Sequence, residues 1–186
     1  EGLEPVEEEL ILSTISLKEH YRQNVIYITP LLGNTDIRNV QEALSSCIRQ
    51  REREKARVLF DSLFAESLFH CVDRDMDAKE LLTGMCGEME EQGYVDGGYY
   101  ENVMRREQLS PTVYGKIAIP HSLKACALRS GVGVCLCEKP VSWDGRAVFV
   151  VMLIAIHPAE QLAFNELWDK ITQILANDEI IGKIMK

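Results

Sequence analysis

The sequence lacks an excess of basic residues. Its 186 residues include 20 Lys or Arg against 29 Asp or Glu, which gives a formal net charge of −9 at pH 7. A nucleic-acid backbone is held by a basic surface, so this balance argues against nucleic-acid binding by this chain. The acidic charge is compatible with docking of a basic protein partner.

The sequence also lacks the cysteine spacings of a zinc site. Its six cysteines include no C-x-x-C pair and no paired Cys/His spacing, which argues against the common zinc motifs. We expect the cysteines, among them Cys135 and Cys137 on one face of a predicted strand, to be small buried hydrophobic residues. Free thiols fit a reducing cytoplasm. No motif implies a metal or an organic cofactor.

Long hydrophobic runs are absent. The longest apolar run, Val148 to Ile156, is far too short to cross a bilayer, so we expect no membrane insertion. The sequence begins with Glu1, and no signal peptide is recognisable there, so we expect a fragment of a longer chain. Its hydrophobic content of 46% and charged content of 26% are typical of globular proteins and predict a real core.

Hydrophobic periodicity predicts two units. Residues 10–15 and 25–28 have the pattern of short buried strands, and residues 36–47 that of an amphipathic helix. A β–β–α segment of this size is too small to form a sheet-based domain alone. The charge-mixed run 48–57 predicts a linker or a solvated helix, and it places the domain boundary there.

The second unit, residues 58–186, has an α/β pattern that predicts a central mixed β-sheet flanked by helices. Its middle strand should be buried on both faces. Strands are predicted over 115–121, 132–137 and 148–156, with a turn at 144–145. Helices are predicted over 77–92, 99–107, 124–128 and 160–176, followed by a last segment from 177.

A short apolar strand is predicted from Gly115 to Pro120, and His121 follows it directly. Proline fixes φ just before the imidazole, so the ring is presented from a rigid platform that suits a reactive group. The residues alone leave a capped structural histidine as the alternative. Two other histidines, His20 and His70, are predicted to be structural.

Several motifs around this strand resemble one family. Arg106-Glu107, the turn through Thr112 and the I-A-I-P-H run ending at His121 are similar to the enzyme IIA domain, mannitol/fructose class, of the bacterial sugar phosphotransferase system. An E-x-x-G-Y-V ending on the preceding helix, Glu90 to Val95, and a strand pair and helix downstream extend the resemblance over residues 58–186.

The resemblance implies a phosphohistidine carrier. His121 would accept a phosphoryl group from the histidine phosphocarrier protein and pass it to a IIB domain, because a neutral imidazole is a competent nucleophile near pH 7. Arg106 would give forked donors to the phosphoryl oxygens. Ser122 and the backbone N–H groups opening a helix after His121 would add donors, with Thr112 as a further supporting residue.

Two departures from the family pattern stand out. Ser122 replaces the glycine that often follows the histidine, which is a mild change. A second family histidine falls on Phe164, whose side chain cannot hydrogen-bond the imidazole or the phosphate. His157, which follows the long strand, is a candidate partial substitute, with an ordinary loop histidine as the alternative. The loss predicts inefficient relay.

The N-terminal residues 1–47 resemble the second half of a IIB-like domain. The phosphorylatable cysteine of that family lies on an earlier strand, and Cys47 does not match it, so no IIB activity is assigned. A IIB-like segment followed by a IIA domain is typical of multidomain transcriptional regulators of the antiterminator/activator kind. The combination implies a cytoplasmic regulatory module that is switched by phosphorylation of His121.

Two other functions remain open on the sequence. The chain could be a IIA component of a sugar transport system, or a docking domain that keeps the fold and never accepts phosphate. The sequence does not specify the sugar, the regulated genes or the oligomeric state.

Overall fold

The computed structural model describes residues 10–17 and 24–175, which belong to two compact units. The first unit extends to Glu54 and the second begins at Lys55. The predicted structural role of His20 and the predicted segment from residue 177 lie outside the described residues.

The first unit contains a two-stranded parallel sheet. Strand β1 (Leu10–Ser13) pairs with β2 (Asn24–Tyr27), so both strands predicted in this segment are confirmed, the first of them shorter than expected. Parallel pairing needs a crossover connection, which is a feature of α/β architecture.

Helix α1 runs from Asn34 to Leu63, so the predicted helix end at residue 47 is wrong. Residues 48–57 continue the helix without a break, as the solvated-helix alternative for this run allowed. They are mostly Arg, Glu, Gln and Lys, which have high helix propensity, and neither Gly nor Pro interrupts them. The boundary between the two units falls inside this helix.

The second unit is built on a five-stranded mixed sheet. Its strands are β3 (Phe69–Val72), β4 (Val113–Tyr114), β5 (Ile117–Ala118), β6 (Gly131–Trp143) and β7 (Arg146–Ala155). Their order in the sheet is β3-β6-β7-β5-β4. The β3–β6 and β5–β7 pairs are parallel, and the β4–β5 and β6–β7 pairs are antiparallel. The predicted central mixed sheet is confirmed.

Helices cover both faces of this sheet. Helices α2 (Ala78–Glu91) and α3 (Tyr99–Leu109) pack on one face. The last turns of α1 and helix α4 (Gln161–Leu175) pack on the other. Strand β7 lies in the middle and alternates between the two cores, with Val151 in the first and Val150 in the second. Burial of the middle strand on both faces is therefore confirmed.

The β6–β7 hairpin closes at Asp144 and Gly145, where the turn was predicted. Both residues have positive φ, 50° and 75°. A two-residue turn of this kind matches the twist of the flanking strands, and glycine adopts the positive φ without strain.

One local prediction fails in the second unit, and one short strand was missed. Residues 124–128 form bends and not a helix. The backbone N–H of Cys126 donates to the carbonyl of Lys124 at 2.9 Å, a tight local turn that a continuing helix could not contain. Strand β4 was not predicted, because two residues are too few for a period-2 pattern.

The cysteines are free thiols in this fold. Four of them are buried, as expected: Cys86, Cys126, Cys135 and Cys137. Cys47 is half-buried, and Cys71 is exposed, which corrects the expectation for that residue. Burial raises the pKa of the Cys86 thiol to about 12, so it stays protonated at neutral pH.

Within residues 10–17 and 24–175, no helix is long and apolar enough to cross a membrane. The same residues contain no group of three His, Cys, Asp or Glu side chains placed to hold a metal ion.

We predict that Gly131→Ala destabilises the fold. A Cβ at this position would lie 2.4 Å from Cδ1 of Tyr94, whose ring is buried and has the Arg129 guanidinium 3.7 Å from its centroid. The ring or the strand would have to shift to accommodate the new methyl group. We expect this shift to lower the free energy of unfolding by about 1–3 kcal/mol, measured by urea denaturation. Gly87→Ala is the control, because its Cβ would meet nothing within 4 Å. A Gly131→Ala variant as stable as wild type would contradict this packing.

Candidate functional site

The strand that carries His121 is fixed to its neighbours by backbone hydrogen bonds. The Ile119 N–H donates to the Thr112 carbonyl at 2.9 Å, and the Ile154 N–H donates to the Pro120 carbonyl at 3.0 Å. His121 itself forms a parallel bridge with Ile154. It therefore follows β5 beside the carboxyl end of β7, and such an edge of parallel strands is where α/β folds place their ligands.

The imidazole of His121 has a defined tautomer. Its Nδ1 lies 3.0 Å from the carbonyl oxygen of Ile119. A carbonyl can only accept, so Nδ1 carries the proton and Nε2 of the neutral ring keeps its lone pair. The residue is half-buried. The Nδ1–H is thus bonded to the backbone of the ring's own strand, and Nε2 is the nitrogen that can act as a nucleophile.

The residues after His121 form a pinned loop. The Ser122 hydroxyl oxygen accepts from the Lys124 N–H at 3.0 Å and lies 3.1 Å from the Lys124 carbonyl. The Asn102 amide, on α3, donates to Cys126 Sγ at 3.4 Å. No helix begins here, so the expectation of helix-opening N–H donors next to His121 is wrong. The Ser122 hydroxyl instead forms hydrogen bonds within the loop and fixes its shape.

A cavity of about 490 Å³ opens beside His121. Helix α4 supplies one wall with Phe164 and Trp168, whose ring centroids are 5.7 Å apart. The strand and loop side is formed by Ile154 and the residues that follow His121. The structure therefore places His121, Ser122 and Phe164 around one space.

Tyr99 lies at the base of this cavity. Its hydroxyl donates to the Ile154 carbonyl at 2.6 Å. Burial raises the pKa of Tyr99 well above its usual value, so the hydroxyl remains a donor at any physiological pH. Sequence reasoning missed this residue, because one tyrosine in an amphipathic helix carries no signal of its partner.

The other predicted site residues are not among those that line the cavity, although both chain neighbours of His157, Ile156 and Pro158, are. Arg106 donates from Nη1 to the Ser110 carbonyl at 2.6 Å, at the end of α3. His157 accepts from the Ala159 N–H at its Nδ1 and caps a short 3₁₀ turn. Neither is among the residues that line the cavity.

Thr112 belongs to a buried polar cluster centred on Glu107. The carboxylate accepts from the Thr112 N–H at 3.1 Å, from the Thr112 hydroxyl at 2.5 Å and from the Trp143 indole N–H at 2.8 Å. The cluster ties the end of α3 to the start of the β4–β5 hairpin and to β6. Thr112 in turn accepts from Ile119, so the cluster positions the strand of His121.

We predict that Glu107→Ala destabilises the protein by about 2–4 kcal/mol. Three buried donors would lose their acceptor, and each unsatisfied group costs free energy. Urea unfolding followed by circular dichroism measures the loss. The exposed neighbour Gln108→Ala is the control and should stay within about 0.5 kcal/mol of wild type. Equal stability of the two variants would show that the cluster does not support the fold.

The family model "Phosphoenolpyruvate-dependent sugar phosphotransferase system, EIIA 2" matches residues 62–186. The "Probable licABCH operon regulator" of Bacillus subtilis (strain 168) is 26% identical over 180 residues, which are 96% of this chain and 26% of that protein. The chain thus spans about a quarter of that regulator.

Two further matches carry the name enzyme IIA. The "Mannitol-specific phosphotransferase enzyme IIA component" of Halalkalibacterium halodurans is 32% identical over 99 residues, covering 51% of this chain and 66% of the relative. An Escherichia coli complex of enzyme IIA-Mtl with phosphorylated enzyme IIB-Mtl shares the fold, with a TM-score of 0.56 at 22% identity, over 67% of this chain and 90% of that one. Since the family model matches well over half of the residues, the chain belongs to the EIIA type 2 family of the phosphoenolpyruvate-dependent sugar phosphotransferase system.

Proposed function

We propose that this chain is a phosphorylation-sensing module of a sugar-responsive transcriptional regulator, and that His121 accepts its phosphoryl group from the histidine phosphocarrier protein. The observation that carries the proposal is the 3.0 Å contact between His121 Nδ1 and the Ile119 carbonyl. It keeps the proton on Nδ1 and leaves the lone pair of Nε2 beside the cavity. A neutral imidazole held in this way is a ready nucleophile.

The proposed step is a transfer between two imidazoles. The Nε2 lone pair of His121 attacks the phosphorus of the phosphohistidine on the carrier, and a new N–P bond forms as the old one breaks. The electron pair of the broken bond returns to the imidazole of the carrier, so no other reactant is consumed. Such transfers require positioning and charge stabilisation more than covalent help. The added charge then shifts domain packing or association.

Arg106 is proposed as a phosphate ligand. Among residues 10–17 and 24–175, its one hydrogen bond runs from Nη1 to the Ser110 carbonyl, and a guanidinium has five N–H donors. The remaining donors would serve the phosphoryl oxygens after reorientation of the side chain. Ser122 and Thr112 would support the site through the loop and strand they hold, and His157 through its remaining Nε2.

A regulator is favoured over a transport component by the extent of the similarity. The Bacillus regulator aligns with 96% of this chain, whereas the mannitol IIA component aligns with 51%. The Bacillus regulator therefore also matches residues before the IIA domain, which supports a regulator-like domain arrangement for this chain. Residues 1–47 would then be a partial IIB-like segment, 48–57 the connection and 58–186 the phosphoacceptor domain.

The partners and location follow from the proposed role. The histidine phosphocarrier protein is the donor and a IIB domain a second partner, and both act in the cytoplasm, where we place this chain. Nucleic acid would be bound by another part of the full regulator, because this chain is acidic.

The second candidate function is a docking domain that never accepts phosphate. Phe164 favours it, because a phenyl ring lines the cavity where the family resemblance places a histidine. Stable binding of the phosphocarrier protein with no transfer of phosphate would identify this function.

We predict that His121→Ala abolishes phosphorylation. The protein is incubated with phosphoenolpyruvate, enzyme I and the phosphocarrier protein, and intact mass reports the number of phosphoryl groups. Wild type should gain one and His121→Ala none. His70→Ala is the matched control and should still gain one. Label that persists on the His121 variant would refute the assignment.

We also predict that Phe164→His speeds relay to a IIB domain by about tenfold, because a second imidazole can donate to the phosphoryl oxygens. Phe164→Leu is the matched control and should stay as slow as wild type, because it changes volume and supplies no donor. The rate of phosphate loss from His121 to added IIB is measured for each variant. Equal acceleration by leucine would show that side-chain size and not the imidazole limits the rate.

A further inference from the structure

The charges around the cavity are uneven. Among the described residues that line it, Lys124 alone carries a fixed charge and none is a carboxylate. This is unusual in a chain whose acidic residues outnumber its basic ones by 29 to 20. A cavity with one cation and no anion favours a negatively charged occupant.

The backbone of Lys124 is held in place from both sides. Its N–H donates to the Ser122 hydroxyl at 3.0 Å, and its carbonyl accepts from the Cys126 N–H at 2.9 Å. Asn102 fastens Cys126 to α3 through Sγ. Lys124 is therefore presented three residues after His121 from a loop that does not need to reorganise.

The ammonium group of Lys124 is not committed elsewhere in the described part of the chain. Lys139, by contrast, pairs with Asp75 at 3.1 Å on the surface. Lys124 is exposed and forms no ion pair with a carboxylate among residues 10–17 and 24–175. Its flexible stem and three N–H donors suit a phosphoryl group that appears and disappears.

The opposite wall makes such a cation more effective. Phe164 and Trp168 place two aromatic rings on the α4 wall of the cavity, which also carries the amides of Gln161 and Asn165. A charge interaction is stronger next to a low-dielectric wall than in bulk water. Phe164 offers no donor, so Lys124 would add to the donors that Arg106 is proposed to supply.

We propose that Lys124 is a second cationic ligand of the phosphoryl group on His121, in addition to Arg106. Its ammonium donates hydrogen bonds to the phosphoryl oxygens and keeps its proton throughout. It thereby stabilises the phosphorylated state relative to the free one. This inference rests on the proposed function of His121 and assigns to the same site a residue that its sequence motifs did not indicate.

The test is an equilibrium measurement. Phosphorylated carrier protein, purified away from phosphoenolpyruvate and enzyme I, is mixed with an equal amount of this protein, and the distribution of phosphate is read by intact mass. The equilibrium constant depends only on the free and phosphorylated states, so weaker docking of the carrier does not change it. Lys124→Gln should lower the constant about tenfold, as loss of a charge-assisted hydrogen bond would.

Two variants serve as comparisons. Lys124→Arg should restore most of the equilibrium constant, and Lys139→Gln should leave it at the wild-type value. Higher salt should lower the constant for wild type and have less effect on Lys124→Gln. A Lys124→Gln constant equal to that of Lys139→Gln would overturn the role of Lys124 alone. Absence of phosphate from wild-type His121 would instead overturn the proposed function.

Discussion

The site depends on the parallel pairing of β5 with β7. The Ile154 N–H donates to the Pro120 carbonyl, and the Ile154 carbonyl accepts from the buried hydroxyl of Tyr99. One residue of the central strand is thus bonded both to the strand of His121 and to α3. Because β7 is buried on both faces, this edge cannot shift without disturbing two cores.

From that fixed edge, each element contributes one property to the site. The Ile119 carbonyl selects the tautomer of His121. The Ser122 loop holds Lys124 close by, and α4 supplies an apolar wall. Phe164 belongs to the core and also lines the cavity, so a substitution there should change both the stability of the fold and the reactivity of His121.

The sequence was most informative where a local pattern determines the structure. The Asp144-Gly145 turn and the apolar run of β7 each predict their element from neighbouring residues alone, and the structure confirms both. The strand predicted over 115–121 is present but shorter, with β5 limited to Ile117–Ala118. The extent of α1 was missed because charged residues fit a solvated helix as well as a linker.

The site was less predictable than the strand that carries it. The helix expected after His121 is replaced by a loop whose shape comes from the Ser122 hydroxyl and Cys126, and such side-chain bonds have no periodic signal. The Glu107–Trp143 contact joins residues 36 positions apart. A position near His121 in space, such as that of Lys124 in the cavity wall, emerges only when the loop is folded.

The most direct test of this account is to locate the phosphoryl group on the ring. The protein labelled with ¹⁵N is phosphorylated through the phosphocarrier protein, and ¹H–¹⁵N and ³¹P NMR spectra of the histidines are recorded before and after. We predict that His121 is the Nδ1–H tautomer when free and that phosphorus couples to its Nε2 when phosphorylated. Phosphorus on Nδ1 of His121, or on any other residue, would contradict the account.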